Sequence, residues 1–573
     1  MNWTKEQKDI INSKGNIRIN AIAGSGKTTT VIEYAASRPE KAKILYLVFN
    51  KSVKTEAIHK FEKKGLFNVK VETAHSLAYG KIVRKYKYKV CQGYKSHELV
   101  PLLNLFEDSQ RHGVFILANH INKLVSYYCN SAVEKVSELK YIATVTDPKA
   151  KGFATKFYDT ILEKAEYFIE LMHKGEIKIT HDFYLKKYQL SFPKLQYDYI
   201  LFDEGQDASA AMLDIFMSQD ATKVIVGDTH QQIYTWRYAV NSLEKADFKT
   251  YNLSTSFRFN QEIAQLASNT LDLKSLVSIH NKFDIYGKGS CNEEKTKAIL
   301  ARTNLGLLYN AIDYVVNEKK ASKIYFEGNI SSYTYAEDGA SLYDVLNLYQ
   351  EKTHLIRDNL IKGMKNVKDL EDYIKQTDDV QLGLMVEIVK KYGAKVPEIL
   401  NEIKTKHIKS DNKEEAEIIF STVHRSKGME YDLVKLATDF IDKEKIQYLQ
   451  DEYEGILTDK IKEEVNLLYV AITRTKNKLY IPENHLPASF LATKNIIPLP
   501  IEETKNNQIT PDSEIAKEIQ LKYPKAFTPW TFEQDQILRQ GINDETTIKG
   551  IATILGRSTK SIRARMKILE IQN

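Results

Sequence analysis

Ile17-Arg-Ile-Asn-Ala-Ile-Ala-Gly-Ser-Gly-Lys-Thr-Thr-Thr-Val-Ile-Glu-Tyr34 joins a short apolar run, a glycine-bearing turn and a helix-forming stretch without interruption. Glycines let a backbone curl until its N–H groups face an anion, and the helix that follows presents its positive end to the same point. The stretch therefore reads as a phosphate-binding loop. Ala23, Gly24, Ser25, Gly26, Lys27, Thr28 and Thr29 form the expected cradle. In such a cradle Lys27 reaches the β- and γ-phosphates of ATP, and the Thr28 hydroxyl holds Mg²⁺. Ala21 stands where the strict pattern has its first glycine. The order of strand, loop, Lys-Thr and helix carries the reading in spite of that departure.

Working outward, Lys43-Ile-Leu-Tyr-Leu-Val-Phe49 is a second strand signal, so residues 1–75 follow the strand–helix–strand grammar of a parallel sheet covered by helices. Residues 80–185 are long, polar and helix-like. Strands resume at Tyr197–Asp203, Lys223–Asp228 and Thr250–Ser254. A second α/β set has strands near Lys297–Arg302, Glu417–Val423 and Asn477–Ile481, with a helix-rich block at 330–412 between them. Prolines 482, 487, 498, 500 and 511 mark a linker, and Thr528–Glu570 reads as a compact helical module.

The chain has 573 residues, more than one core holds, so several domains are expected. No apolar run reaches membrane-spanning length, and the first residues lack the apolar core of a signal peptide. Cys91, Cys129 and Cys291 lie far apart, which fits a reducing compartment and no zinc or iron–sulfur spacing. The expected location is the cytoplasm of a bacterial or phage-infected cell, or the nucleus of a eukaryote. Net charge is +7, a weak pointer to nucleic acid. Lys81-Ile-Val-Arg-Lys-Tyr-Lys-Tyr-Lys89 says more, because it interleaves aromatics with cations. A groove for phosphates and stacked bases and a solvated amphipathic edge both fit it.

Tyr197-Asp-Tyr-Ile-Leu-Phe-Asp-Glu-Gly-Gln-Asp207 ends a buried strand in two carboxylates. Carboxylates at such a tip lie in the crevice where open α/β sheets bind ligands. Asp203 is suited to Mg²⁺, and Glu204 to activating the water that attacks the γ-phosphate. Val226-Gly-Asp-Thr-His-Gln-Gln-Ile-Tyr-Thr-Trp-Arg237 ends another strand at the same edge. It offers Gln231 to sense the γ-phosphate and Trp236 to stack on a base.

These motifs, in this order, resemble the superfamily 1 DNA helicases of the UvrD/Rep type, and most of all the helicase part of the F-box DNA helicases. The resemblance runs through Ala23–Thr28, Phe49–Ser52, Thr73–Gly80, Thr180–Leu185, Asp203–Asp207, Gly227–Arg237, Ser256–Phe259, Thr422–Asp432 and Asn466–Lys476. No F-box segment precedes them, so a ubiquitin-ligase role is not implied. The resemblance implies an α/β fold of two RecA-like P-loop domains with parallel sheets, each carrying a helical insertion, and a small C-terminal helical module. The expected division is 1–80 with 186–250 as the first RecA-like domain and 81–185 as its insertion. The second domain is 251–329 with 413–481, and 330–412 is its insertion. A linker at 482–527 leads to the module at 528–573.

The resemblance also implies roles. Gln7 reads the adenine edge and Phe257 stacks on the ring. Gln231, Arg237 and Arg258 contact or sense the γ-phosphate, Arg474 acts as an arginine finger, and Glu430 meets the ribose. Phe49, Asn50, His75 and Trp236 are the strand contacts, although Val48 and Ala74 stand where relatives often carry aromatics. The module resembles a Myb/SANT-like helix-turn-helix, with Gly556 at the turn and Ser558 as a cap. Its last helix would offer Lys560, Arg563, Arg565 and Lys567 to DNA phosphates; a protein-docking bundle also fits.

The expected activity is that of an ATP-dependent DNA helicase or translocase on single-stranded DNA, moving 3′ to 5′, in repair, recombination or replication. Single-stranded DNA and its junctions with duplex are the expected partners, with replication or recombination proteins beside them and no membrane. A translocase that strips bound protein with little unwinding, or a DNA-binding regulator with an ATPase switch, would read similarly.

Overall fold

The computed structural model describes residues 3–569 apart from 49–50, 106–110, 146, 236–237, 280–282, 335–340, 378–379, 454–457, 488–489, 501–522, 526–527, 529 and 545. Phe49, Asn50, Trp236 and Arg237 lie outside the described residues, as do the side chains of Lys560 and Lys567.

The first sheet is built from β1 (Ile17–Ala21), β2 (Ile44–Val48), β3 (Val69–Thr73), β4 (Tyr199–Phe202), β5 (Thr222–Gly227) and β6 (Lys249–Leu253). Their order is β3-β2-β4-β5-β1-β6, and every pairing is parallel. Side chains of a strand alternate between faces, so a strand covered on both sides must be apolar throughout. β2 meets that demand: Ile44, Tyr46 and Val48 enter one buried cluster, and Leu45 and Leu47 the opposite one. Because all six strands run the same way, the C-terminal tips of β1, β4 and β5 fall on one edge. The loop before Lys27, the Asp203-Glu204 pair and Asp228 meet there.

Between β3 and β4 the chain makes a helical block with a core of its own, which includes Ile121, Leu124, Phe168 and Leu185. After a two-strand ribbon, β7 (Thr255–Ser256) with β8 (Tyr286–Gly287), comes a second parallel sheet. It comprises β9 (Lys297–Ala301), β10 (Ile324–Phe326), β11 (Ile418–Thr422), β12 (Tyr431–Leu436), β13 (Thr475–Pro482) and β14 (Ile496–Leu499), in the order β10-β11-β9-β12-β13-β14. One face, through Ile299, Phe326 and Phe420, shares a core with the helices Leu342–Tyr349, Val367–Thr377, Val380–Tyr392 and Val396–Lys406. The 342–406 helices are thus a cover for this sheet. Phe115 and Phe153 of the first helical block pack on the same core, which ties the two blocks together.

The proline-bearing stretch after 482 is not linker from its start. Ile496–Leu499 pairs with β13 as the outermost strand, with Pro498 opposite Ile481. Proline is tolerated at an edge because its missing donor faces away from the partner strand. The C-terminal helices Phe532–Asn543, Ile548–Leu555 and Thr559–Ile568 close around Leu538, Ile551, Leu555 and Ile562. Gly556 turns between the last two in the left-handed region (φ 61°), and the Ser558 hydroxyl caps the next helix by accepting from Ser561 N at 3.2 Å. Among the described residues no helix is long and apolar enough to cross a membrane.

Candidate active site

Gly24 and Gly26 both hold φ 73°, a conformation that favours glycine. Gly24 has a second constraint. A Cβ there would lie 2.6 Å from Arg258 Cβ and 2.7 Å from Ser256 Oγ. The loop is that close to the segment entering the second sheet, and Phe257 N donates to Gly24 O at 2.9 Å. Gly26 caps the Lys27–Ala36 helix, so the first N–H groups of that helix face the cradle. Ser25 Oγ is buried without a hydrogen-bond partner. A phosphate would supply one. Thr28 is half-buried beside the loop and Thr29 is exposed.

Gln7 and Phe257 flank Gly26. Gln7 Nε2 lies 3.3 Å from the Cβ position of Gly26, and the Phe257 ring lies 4.0 Å from it. The Gln7 amide is oriented by its neighbours: Oε1 accepts from Thr4 N at 3.0 Å and Nε2 donates to Thr30 Oγ1 at 3.2 Å. Phe257 remains 47% exposed, so its ring is open to stacking.

Lys27 Nζ is 2.5 Å from Glu204 Oε1 and 3.8 Å from Asp203 Oδ1. Burial opposes the Lys27 charge, but the two carboxylates outweigh it and raise its pKa. Burial would likewise raise Glu204; Lys27 and then Lys427 overcome this and hold it at about 2. Burial pushes Asp203 up, against the pull of Lys27. Both Asp203 oxygens are engaged. The Tyr46 hydroxyl donates to Oδ2 at 2.5 Å and Glu204 N donates to Oδ1 at 2.9 Å. Glu204 itself stands in the left-handed region (φ 54°), which turns its side chain back toward the loop. Among the described residues no group of three or more His, Cys, Asp or Glu makes a metal cage. A small divalent cation fits here in another way, on one carboxylate and one hydroxyl with substrate phosphates completing the shell. Asp203 and Thr28 are the residues that would hold it.

Several contributors escaped the sequence reading. Gln206 Nε2 donates to Glu204 Oε2 at 2.6 Å, while its Oε1 accepts from Asp228 N at 3.1 Å, so the amide can face only one way. Asp228 Oδ2 accepts from Gln231 Nε2 at 2.8 Å and from the Tyr469 hydroxyl at 3.0 Å. The same hydroxyl accepts from Ala23 N at 3.4 Å. Lys427 crosses from the second sheet to pair with Asp207 and donates to Gln231 O at 2.7 Å. Tyr46 and Tyr469 gave no local signal, since nothing near them in sequence marks their partners, and Gln206, although it lies in the Asp203–Asp207 run, carried no assigned role.

From the second sheet and the segment that enters it come two guanidiniums. Arg258 donates to Glu430 Oε2 at 2.8 Å and to Thr473 O at 2.9 Å. Glu430, expected at a ribose, is here the partner of Arg258. Arg474 is 1% exposed. It donates to Val470 O at 3.0 Å, Met429 O at 3.3 Å and Thr473 Oγ1 at 3.3 Å, all uncharged. Burial, and then Arg258, push its pKa down to about 9. A buried guanidinium with neutral acceptors and a like charge beside it is poised for an incoming anion.

The remaining expected residues lie apart from this cluster. His75 is half-buried, with Nε2 3.8 Å from Asp182 Oδ1 and its ring edge-on to Tyr184. Arg563 lies half-buried on the last helix of the module. Arg565, expected at a phosphate, pairs here with Asp535 through Nε at 2.8 Å and Nη2 at 2.6 Å, and it lies over Trp530. The acid that meets it lies 30 residues away in sequence.

Comparison with known proteins agrees with this geometry. The model of the UvrD/REP helicase N-terminal domain matches residues 3–252, and that of the UvrD-like helicase C-terminal domain matches 155–485. F-box DNA helicase 1 of Gallus gallus is 31% identical over 514 residues, covering 84% of this chain and 49% of that protein. F-box DNA helicase protein 1 of Schizosaccharomyces pombe is 28% identical over 524 residues, 83% of this chain and 57% of its own. The chain spans about half the length of these curated relatives. Gabija protein GajB of Bacillus cereus is 25% identical over 549 residues, with 83% of this chain and 94% of that protein aligned. With its phosphate loop, paired carboxylates and opposed arginines inside matched segments that together run from residue 3 to 485, the chain belongs to the UvrD-like helicase family.

Proposed function

We propose that the protein hydrolyses ATP to move on single-stranded DNA in the 3′ to 5′ direction, opening duplex or displacing bound protein during repair, recombination or replication. The observation that carries this is the opposition of Lys27, Asp203 and Glu204 on the first sheet to Arg258 and Arg474 from the second. Lys27 is paired with Glu204, and a carboxylate tied to a lysine is a poor base. Transfer of Lys27 to a β- or γ-phosphate frees Glu204 to orient and deprotonate water. Gln206 holds Glu204 in place, and Gln231 and Arg474 receive the charge that develops on the transferred group. Mg²⁺ on Thr28 and Asp203 would neutralise phosphate charge.

The γ-phosphate then joins groups from both sheets, so its presence favours closure and its loss favours opening. Strand contacts at Phe49, Asn50, His75 and Trp236 convert that cycle into movement. Opening one base-pair step costs about 1.4 kcal/mol on average. Stacking one base on an aromatic side chain contributes roughly 1–3 kcal/mol. One grip therefore matches one step. ATPase and strand-separation assays on forked, 3′-tailed and 5′-tailed duplexes test the reading. The 3′-tailed and forked substrates should be opened and Lys27→Ala should stop turnover. Turnover by Lys27→Ala, or opening from 5′ tails alone, would overturn it.

A further inference from the structure

A second feature lies outside the ATP cleft. Thr73 opens a helix with a reciprocal cap, its hydroxyl accepting from Ser76 N at 3.0 Å and its N–H donating to Ser76 Oγ at 2.9 Å. Ala74–Ala78, a π-turn at Tyr79–Val83 and Arg84–Tyr86 run on without a break, and Lys87 ends the helix in the left-handed region (φ 55°). His75 sits on its first turn. Tyr86, on its last, stacks on Tyr88 with ring centroids 5.6 Å apart and 24° between planes. Lys187 lies 4.3 Å from the Tyr86 ring centre and donates to the Tyr88 hydroxyl at 2.5 Å. Tyr88 is anchored in turn by donating to His173 O at 2.7 Å. Tyr86 stays 46% exposed and Tyr79, midway along the helix, 40%.

The surroundings are cationic. Lys81, Arg84, Lys85, Lys87 and Lys89 are all exposed, and among the described residues none has a carboxylate within ion-pair distance. No Asp or Glu occurs between Glu72 and Glu98, and among the described residues the carboxylates that meet this helix do so at its first turn, Glu72 at Ser76 and Asp182 at His75. Five positive charges in nine residues compare with a net charge of +7 for the whole chain. A surface that needed only solubility would mix both signs. An exposed aromatic held rigid by a second ring, inside an unneutralised cationic field, matches what single-stranded nucleic acid binds: phosphates on the cations and a base on the ring.

We infer that Tyr86, supported by Tyr88 and Lys187 and surrounded by Lys81, Arg84, Lys85, Lys87 and Lys89, is a second single-strand binding platform, reached along the Ala74–Tyr86 helix from the strand contact at His75. The inference rests on the DNA-translocase reading above. From His75 to Tyr86 the helix climbs about 16 Å, the rise of about five stacked nucleotides. The platform therefore extends the bound strand beyond the cleft and engages only strands long enough to reach it.

Binding of labelled oligothymidylates of about 8 and about 20 nucleotides to the nucleotide-free full-length chain tests this, since one such site spans roughly 4–16 nucleotides. Tyr86→Ala should weaken binding of the longer strand about fivefold or more and leave the shorter one unchanged; Tyr86→Phe should restore it. Lys85→Ala with Lys87→Ala should lower the slope of log affinity against log salt by about 1.4 for the longer strand. Equal affinity of Tyr86→Ala and parent at both lengths would overturn the platform, as would loss in the lysine variant alone. Failure of the parent chain to bind either strand would instead overturn the DNA-translocase reading.

Discussion

Replacing Lys427 with methionine removes the cation that spans the two sheets and leaves Asp207 buried, among the described residues, with no ion partner and only the Gln206 amide, at 3.3 Å, beside it. The Lys427 side chain is 11% exposed and that of Asp207 2%, so water replaces neither partner. Burial already carries the Asp207 carboxyl from 3.8 to about 6, despite the opposing pull of Lys427. That difference corresponds to about 3 kcal/mol. Its sign follows from linkage. Between pH 4 and 6 the folded chain holds this proton and the unfolded chain does not, so stability falls as pH rises through the window and levels above it. Without Lys427 the carboxyl rises further, and the decline should extend past pH 6 toward neutrality. Loss of one partner of a buried pair costs about 3–5 kcal/mol, a drop on the order of 10 °C in the affected melting transition. Asp203 and Asp228 are also raised by burial, so the informative quantity is the difference between variant and parent across pH 5 to 8. Adding Asp207→Leu should recover most of the loss, because an apolar pair replaces a broken ionic one. A melting curve and pH profile equal to those of the parent would refute the reasoning.

Gly24→Ala should both strain the loop and push Arg258 away, since the new methyl would lie 2.6 Å from Arg258 Cβ at φ 73°. Positive φ costs about 1–2 kcal/mol and overpacking about 1–3 more; ATP affinity should fall, and retained affinity measured by nucleotide titration would count against the close approach. Arg565→Ala should loosen the C-terminal module by removing the pair with Asp535 and the cover over Trp530. Proteolysis within 530–569 should accelerate while affinity for single strands stays unchanged; a weaker affinity with unchanged proteolysis would return Arg565 to a phosphate-binding role.

The local parts of the fold were legible. A loop between β1 and a helix, and carboxylates at the tip of β4, are each written in a few neighbouring residues, and short continuous apolar runs gave β2, β4 and β5. What was not legible is pairing at long range. Tyr46 meets Asp203 across 157 positions, Tyr469 meets Asp228 across 241, and Lys427 meets Asp207 across 220. One chain read alone carries no signal for such partners. Short strands were lost for a different reason. Ile324–Phe326 has only three residues, and Ile496–Leu499 hides behind prolines that elsewhere mark a linker. Arg565 shows the same limit: a cation on a helix surface advertises charge, but the sequence does not show that Asp535 lies opposite it.

The position of β14 has one more consequence. Leu479 N donates to Asn495 O, so backbone groups of alternate residues from Asn495 face β13 and those of Ile496 and Pro498 face outward. At 498 the outward donor is missing, and Pro500 follows at once. A passing strand from another molecule would find an incomplete ladder there. The second sheet thus carries at this edge its own stop to lateral growth, a guard against adding a stranger's strand.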